Sequence, residues 1–394
     1  KCMDILIEFA KGIGKFFINP LFYWAILLVI LVGLKRIKYE RLQFGAKVFD
    51  VFSEWNKTFV FSIVSGLIVT IFVLGSGIVL TYDMLILLSL VTILLSLTLS
   101  FSLLSATYTV GVTFFILLIA PLFVDVQSNP FLSDLSNAHY SFLAILLGMF
   151  LIIESFLLRT IKRNKTYPSL TLSDRGIWIG QHRVKRIAMI PFFTLVPTGL
   201  LTTIEPYWPY LSIGEDTFGL VLFPFVIGVD FIVRGKLPVQ VAKEQATYVL
   251  MLGIIVLIIA AYSIFLPWLS IVAVIIAIIG KEFIQYRMKV KDRNKLAYFH
   301  PENEGLKILG IIPGSPADRL DIYVGETIVK VNGRKVNSDI DFYNALHNSG
   351  AYFKLDVLDD QNEVRFVQGA RYEGDHHELG FLFAIKPYRI VKAK

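Results

Sequence analysis

Nine long apolar runs, all within residues 1–296, constrain the fold of this chain more than any other feature. A helix that crosses a bilayer needs about 17–25 mainly apolar residues. The sequence is 55% hydrophobic and has a mean hydropathy of +0.64, unlike a soluble chain of 394 residues. We therefore predict an α-helical polytopic membrane bundle of about nine spans (eight to ten). The predicted spans are residues 18–34, 59–80, 84–104, 107–124, 140–158, 187–204, 218–233, 247–265 and 268–283.

Basic residues indicate which side of the membrane each loop faces. With nine spans and the N-terminus outside, the inside loops hold 23 of the 26 Lys and Arg residues of residues 1–296. Cytoplasmic loops of membrane proteins are enriched in Lys and Arg. We therefore expect residues 297–394 in the cytoplasm. The net charge of +7 reflects this topology, so we expect no nucleic acid as a partner.

The sequence lacks the residue patterns of membrane enzymes. Its six histidines include no HExxH pair, and Cys2, the only cysteine, excludes an internal disulfide and CxxC sites. Two carboxylates fall in predicted spans, Glu154 and Asp230, each near a cytoplasmic end and close in sequence to Arg159 or Arg234. Local pairing or snorkelling would explain both. We expect no catalytic site, no metal and no cofactor.

Residues 35–41, which follow the first predicted span, are basic with interleaved apolar residues. Such a segment either lies along an anionic leaflet as an amphipathic helix or forms an ordinary flank that stops the span. The flank is the favoured interpretation.

The loop at residues 166–186 is predicted to contain a cytoplasmic β-hairpin. Apolar residues alternate on both sides of an Asp-Arg-Gly turn at 174–176. The sequence leaves two roles open: a hairpin that binds a partner, or a cap that packs between helices.

Residues 297–394 have the pattern of a small β-rich α+β domain. A helix is predicted at 339–347 with Ser338 as its N-cap, and an Asn-Gly hairpin turn at 332–333. Pro-Gly-Ser-Pro-Ala at 313–317, followed by Val-Gly-Glu at 324–326, resembles bacterial PDZ domains. Asp321-Ile322-Tyr323 departs from the Ala-Gly-Leu usual there, so this bend is expected to differ in shape. The predicted strands are 306–312, 327–331, 353–358, 364–367 and 379–383.

The last predicted strand carries the candidate site. Glu378-Leu379-Gly380-Phe381 resembles the carboxylate-binding loop of PDZ domains but comes at the end of the module, which implies a circularly permuted order. The resemblance implies a groove between this strand and helix 339–347 that binds a peptide C-terminus through backbone N–H groups and a strand edge. The alternative is a strand that only closes the sheet. The candidate residues are Glu378, Leu379, Gly380, Phe381, Leu382 and Phe383, with Ile340, Tyr343 and Leu346 expected to share one helix face.

The chain as a whole resembles the MinJ family of polytopic membrane proteins with a terminal PDZ domain. The resemblance rests on residues 16–24, the basic flank at 35–41, Leu-Ser-Asp-Arg-Gly-Ile-Trp at 172–178 and the PDZ-like module. It implies a scaffold in Gram-positive division-site selection, located in the cell membrane and at the septum. Its partners would be a DivIVA-like polar scaffold, a MinD-like ATPase, divisome proteins and membrane lipids. The alternative is an accessory subunit of a membrane protease or secretion system that reads peptide C-termini.

Overall fold

The computed structural model describes residues 2–56, 58–123, 136–202, 217–301, 304–348, 352–370 and 379–389. Up to residue 293 the described chain is mostly helical, with one long β-hairpin. The helices are α1 Cys2–Ile18, α2 Pro20–Phe44, α3 Phe59–Ser76, α4 Tyr82–Ser96, α5 Ala106–Ile119, α6 Asn137–Arg159, α7 Pro238–Tyr262 and α8 Leu269–Arg293.

Five of these helices, α2, α3, α6, α7 and α8, are long and apolar enough to cross a membrane. Helix α4 and the apolar stretch Ala106–Leu122, which contains α5, are shorter. Together the seven helices coincide with seven of the nine predicted spans. Helix α1 is an addition that the sequence analysis did not predict. Asn19 separates it from α2, and its side-chain oxygen accepts a hydrogen bond from Leu21 N (2.9 Å).

The predicted helical spans at 187–204 and 218–233 are wrong, because these segments form an antiparallel β-hairpin. Strand β2 (Trp178–Thr202) pairs with β3 (Thr217–Val233) from His182 opposite Val233 to Thr202 opposite Thr217. A continuous apolar run is compatible with a helix or with a strand buried on both faces, so hydropathy does not distinguish them. The prolines in both runs disfavour a helix interior. They are Pro191, Pro197 and Pro224.

Helices cover both edges of this hairpin. Non-helical backbone at membrane depth is tolerated only where protein or water satisfies its polar groups. On the β2 side, Phe193 N–H donates to Thr70 Oγ1 of α3 at 2.9 Å, and Gly66 of α3 lies directly against Pro191 O. On the β3 side, Leu220 N–H donates to Glu8 Oε2 of α1 at 3.4 Å. The hairpin is therefore built into the helical bundle.

Helix α6 is the centre of the bundle, since 89% of its most apolar 18-residue stretch is buried. Glycines allow it to approach α7 closely: Gly148 lies against Leu257, and Gly253 of α7 lies against Ile152. The loop that follows α6 contains strand β1 (Tyr167–Leu172), which pairs with the first residues of β2 and confirms the predicted hairpin.

The C-terminal part is a β-rich region whose elements follow the predicted order. The elements are β4 Leu306–Ile311, α9 Pro316–Arg319, β5 Thr327–Val331, β6 Arg334–Lys335, α10 Asp339–His347, β7 Tyr352–Leu358, β8 Val364–Ala370 and β9 Phe381–Phe383. Ser338 caps α10, because its Oγ accepts from Asp341 N at 3.1 Å. The sheet order is β8-β7-β5-β4-β9, with β6 paired to β5.

The C-terminal region docks on the loop after α6 through the bend that departs from the PDZ pattern. Asn164 forms two hydrogen bonds there, donating to Ile322 O (2.9 Å) and accepting from Val324 N (3.0 Å). Arg163 donates to Val324 O at 2.6 Å and forms a bidentate ion pair with Asp360, both bonds 2.6 Å long. The unusual bend therefore serves as a contact surface toward the helical part.

Candidate functional site

Strand β9 lies at one edge of the C-terminal sheet, and a turn with unusual backbone geometry precedes it. Leu379 and Gly380 have φ angles of 57° and 88°. Their carbonyl oxygens accept hydrogen bonds from Ala317 N and Ile312 N, both at 2.9 Å. Gly380 is needed because a Cβ there would lie 2.2 Å from Ser315 Oγ. The turn and strand thus occupy the positions that the sequence analysis gave to a carboxylate-binding loop and a groove-edge strand.

The side chains of β9 are buried on both faces of the strand. Phe381 and Phe383 pack on Phe342 of α10, with ring centroids 6.0 and 5.3 Å away. Leu382 points to the opposite face and joins a cluster with Phe49 and Tyr167 of the helical part. A ligand could therefore use the backbone edge of β9 that faces away from β4. That edge pairs with no other strand in the described ranges.

Helix α10 presents two of its three candidate side chains to solvent. Ile340 is 66% exposed and Tyr343 is 41% exposed, whereas Leu346 is buried in the domain core. The expectation that all three share one face is wrong. The buried face is formed by Phe342, Ala345 and Leu346, because these lie at i, i+3 and i+4. Glu378, the remaining candidate, lies outside the described residues.

A cleft of about 340 Å³ lies beyond the end of β9, at the N-terminus of α10. Trp178, from the start of β2, forms part of its wall together with Phe383. Its lining also includes Lys307, Lys386 and Asp339. The sequence analysis proposed none of Trp178, Lys307, Lys386 and Asp339. Trp178 reaches the cleft only because the two parts of the chain dock.

The junction between the cleft and the helical part contains a buried histidine. His182 of β2 is fully buried, forms a hydrogen bond with Thr166 Oγ1 at 2.9 Å and lies 4.7 Å from the Phe299 ring. Burial lowers the pKa of this imidazole from 6.5 to about 3, because a charged ring would lose its hydration there. The side chain is therefore neutral at physiological pH and acts as a packing element.

Hydrogen bonds tie the β1–β2 hairpin to both parts of the molecule. The side-chain amide of Gln43 in α2 donates to Leu170 O (3.0 Å) and accepts from Leu170 N (3.1 Å). Gln43 O also accepts from Tyr388 N at 2.9 Å, and Gly180 N donates to Phe299 O at 2.7 Å. The sequence left two roles open for this hairpin, binding a partner or packing between helices. The structure shows a packing role, but the hairpin packs between the helical part and the C-terminal region.

The site offers a strand edge, a positive-φ turn and an adjacent helix, which are elements that can bind an extended peptide. In the described part of the chain, no group of three His, Cys, Asp or Glu residues is arranged to hold a metal ion.

Comparison with known proteins shows a similarity that extends over nearly the whole chain. The sequence is 34% identical over 380 residues to the cell division topological determinant MinJ of Bacillus subtilis (strain 168), covering 96% of this chain and 95% of that protein. It is 23% identical over 254 residues to probable cell division topological determinants MinJ of Lacticaseibacillus paracasei and Lacticaseibacillus casei (strain BD-II), covering 63% of this chain and 67% of each. No protein-family model and no solved structure matches the chain.

Proposed function

The chain belongs to the MinJ family of cell division topological determinants, and from that membership we propose that it acts in division-site selection as a membrane-anchored scaffold. In this proposal the helical bundle, residues 1–296, anchors the protein. Residues 297–394 form a circularly permuted PDZ-like domain that recruits partner proteins. The protein performs no reaction of its own.

The observation that carries the recruitment proposal is the edge of β9 beside α10, which pairs with no further strand in the described part of the chain. An extended peptide could add to this edge as a further strand, antiparallel to β9. Its terminal carboxylate would then approach the turn at Leu379 and Gly380, and its preceding residues would extend into the cleft near Lys307 and Lys386. Exposed Ile340 and Tyr343 would provide apolar contacts for its side chains.

The proposed partners are those that the family resemblance implies: a DivIVA-like polar scaffold, a MinD-like ATPase and divisome proteins. Recruitment of these proteins requires that the C-terminal region lie in the cytoplasm. Two observations support that orientation. The basic residues gather at the loops that adjoin the C-terminal region, as the positive-inside rule requires. The β2–β3 hairpin enters the bundle and returns to the same side. It therefore leaves the C-terminus on the side predicted from two helical spans at residues 187–204 and 218–233.

Peptide titration of the full-length protein in lipid nanodiscs tests the proposed groove. We expect a subset of peptides with free C-termini to bind, and their amidated forms to lose most of that affinity. Tyr343→Ala and Ile340→Ser should each weaken binding several-fold, while Asn344→Ala, which changes an exposed residue on the same helix, should not. Equal binding of free and amidated peptides, or no binding by a broad C-terminal library, would refute the groove.

Localisation of a fluorescent fusion tests the scaffold role separately. Enrichment at the division septum is expected of a division-site scaffold. A uniform membrane signal would instead favour an accessory subunit of a membrane protease or secretion system.

A further inference from the structure

A second cleft, of about 350 Å³, lies where α2 leaves its apolar stretch, away from the proposed peptide groove. One wall is the face of α2 from Val32 to Gln43, and the others come from residues 98–100, which follow α4, and from strands β1, β2 and β3. Its lining is both apolar and cationic. The apolar lining includes Val32, Leu99 and Ile232, and the cations are Lys35, Arg36, Arg183 and Lys185.

The carboxylates paired with these four cations do not neutralise them completely. Arg36 pairs with Glu40 and Glu54. Asp230 is shared by Arg183, with Nε and Oδ1 2.7 Å apart, and by Lys185, whose Nζ lies 3.5 Å from Oδ2. Lys35 forms no ion pair with any described residue. Four cations and three carboxylates leave a surplus of one positive charge, which matches the single negative charge of a phosphodiester.

Lys35, which lines the cleft, adjoins an exposed apolar stripe of α2. Leu27 and Leu31 are exposed and lie on the same helix face as Lys35, at successive spacings of four residues, and exposed Leu34 follows Leu31 by three. Helix α4 lies beside α2, with Trp24 Nε1 donating to Ser96 Oγ at 2.6 Å, and it exposes further leucines near its end. An acyl chain could lie on this surface while its headgroup occupies the cleft.

We propose that the cleft binds the phosphodiester headgroup of an anionic phospholipid, with one acyl chain along the leucine face of α2. Basic clefts between helices on the cytoplasmic side of a membrane suit such headgroups. Inorganic phosphate would meet the same cations but would leave the adjoining leucine surface unused. The continuity of charge and apolar surface therefore favours a lipid over a free anion.

Lipid titration of the full-length protein in a neutral detergent, followed by native mass spectrometry, tests this proposal. Phosphatidylglycerol should bind more tightly than zwitterionic phosphatidylcholine. Lys35→Gln should raise the apparent Kd for phosphatidylglycerol about fivefold, because one basic residue near an anionic lipid surface contributes about 1 kcal/mol. Lys243→Gln is the matched control: it removes the same charge from an exposed position of α7 that does not line the cleft. Its apparent Kd should match that of the wild type.

Three outcomes would overturn the proposal. Equal weakening by Lys35→Gln and Lys243→Gln would indicate only general attraction to an anionic surface. Equal affinity for phosphatidylcholine would remove the requirement for net negative charge. A separate experiment uses inorganic phosphate. The site binds a free anion and not a lipid if phosphate raises the Tm of the wild type but not of Lys35→Gln, and phosphatidylglycerol then adds no further stabilisation. Lys35 is exposed, so its replacement should leave the fold intact.

Discussion

At the scale of single residues, an ion pair joins the central helix α6 to the peripheral helix α8. Glu154 of α6 and Lys281 of α8 are in contact, and they are 1% and 2% exposed. Ser105 Oγ donates a further hydrogen bond to Glu154 Oε2 at 2.6 Å. A buried charge without its partner is far more costly than the pair itself.

Removing either partner alone should therefore destabilise the protein. We expect Lys281→Met and Glu154→Gln each to cost about 3–5 kcal/mol, seen as a lower Tm in detergent. The double variant should recover most of that loss, because it leaves no unpaired charge. A double variant as unstable as the two losses combined would show that the pair is not coupled.

The buried His182 predicts a pH dependence of stability. Its pKa of about 3 in the folded protein lies below the ordinary 6.5, so between these values the unfolded chain binds a proton that the folded chain does not. Stability should thus fall as the pH drops below 6.5, by up to about 2 kcal/mol at pH 5. In thermal unfolding, His182→Gln should flatten the dependence of Tm on pH between 7.5 and 5.

The matched control is His300→Gln, which changes an exposed histidine and should retain the wild-type slope. An unchanged slope in His182→Gln would contradict the assignment.

The positions of the buried carboxylates could be predicted from sequence, but not their partners. Glu154 was expected to pair near Arg159, and Asp230 near Arg234, since these are neighbours along the chain. The structure brings Lys281 to Glu154, and Arg183 and Lys185 to Asp230. Such pairs depend on how distant elements pack, which one sequence does not reveal.

At the scale of elements, the β2–β3 hairpin depends on its close fit against α3. Gly66 is the tightest point, because a Cβ there would lie 2.0 Å from Pro191 O. Gly75 of the same helix has no atom within 4 Å of an added Cβ. The two glycines therefore form a matched pair.

We predict that Gly66→Ala lowers stability by about 1–3 kcal/mol, since the backbone of β2 must move away from α3. Gly75→Ala should be neutral or stabilising by up to about 1 kcal/mol, because alanine favours a helix over glycine. The Tm of the two variants in the same detergent gives the comparison. Equal Tm values would contradict the packing of the hairpin on α3.

The sequence predicted the C-terminal elements far better than the hairpin. The structure confirms, within a residue or two, the strands predicted at 306–312 and 327–331 and the helix predicted at 339–347. These elements could be predicted because turn residues such as Asn332 and Gly333 mark the ends of segments with alternating apolar residues. In the hairpin both strand faces are buried, so no alternation remains to distinguish strand from helix. The prediction that Ile340, Tyr343 and Leu346 share one face of α10 was wrong for a related reason. Apolar character alone does not show burial, and Ile340 and Tyr343 are apolar but exposed.

At the scale of the whole molecule, the C-terminal region is fixed to the helical part at several points. Arg163 and Asn164 hold the bend at residues 322–324, Gln43 binds Tyr388, and Gly180 binds Phe299. The Asp-Ile-Tyr departure at 321–323 indicated an unusual bend, but sequence alone did not show what it contacts. This docking sets the β9 edge and its cleft beside the basic loops of the bundle, where a cytoplasmic partner could reach them.

The orientation of this docked unit in the membrane underlies the whole account, and cysteine labelling tests it most directly. In a Cys2→Ser background, single cysteines at exposed Ile340 and Phe123 are treated with a membrane-impermeant maleimide in intact protoplasts. We predict that Phe123→Cys is labelled at once, whereas Ile340→Cys is labelled only after the membrane is permeabilised. Labelling of Ile340→Cys in intact protoplasts would place the proposed binding groove outside the cell and contradict a role in recruiting cytoplasmic division proteins.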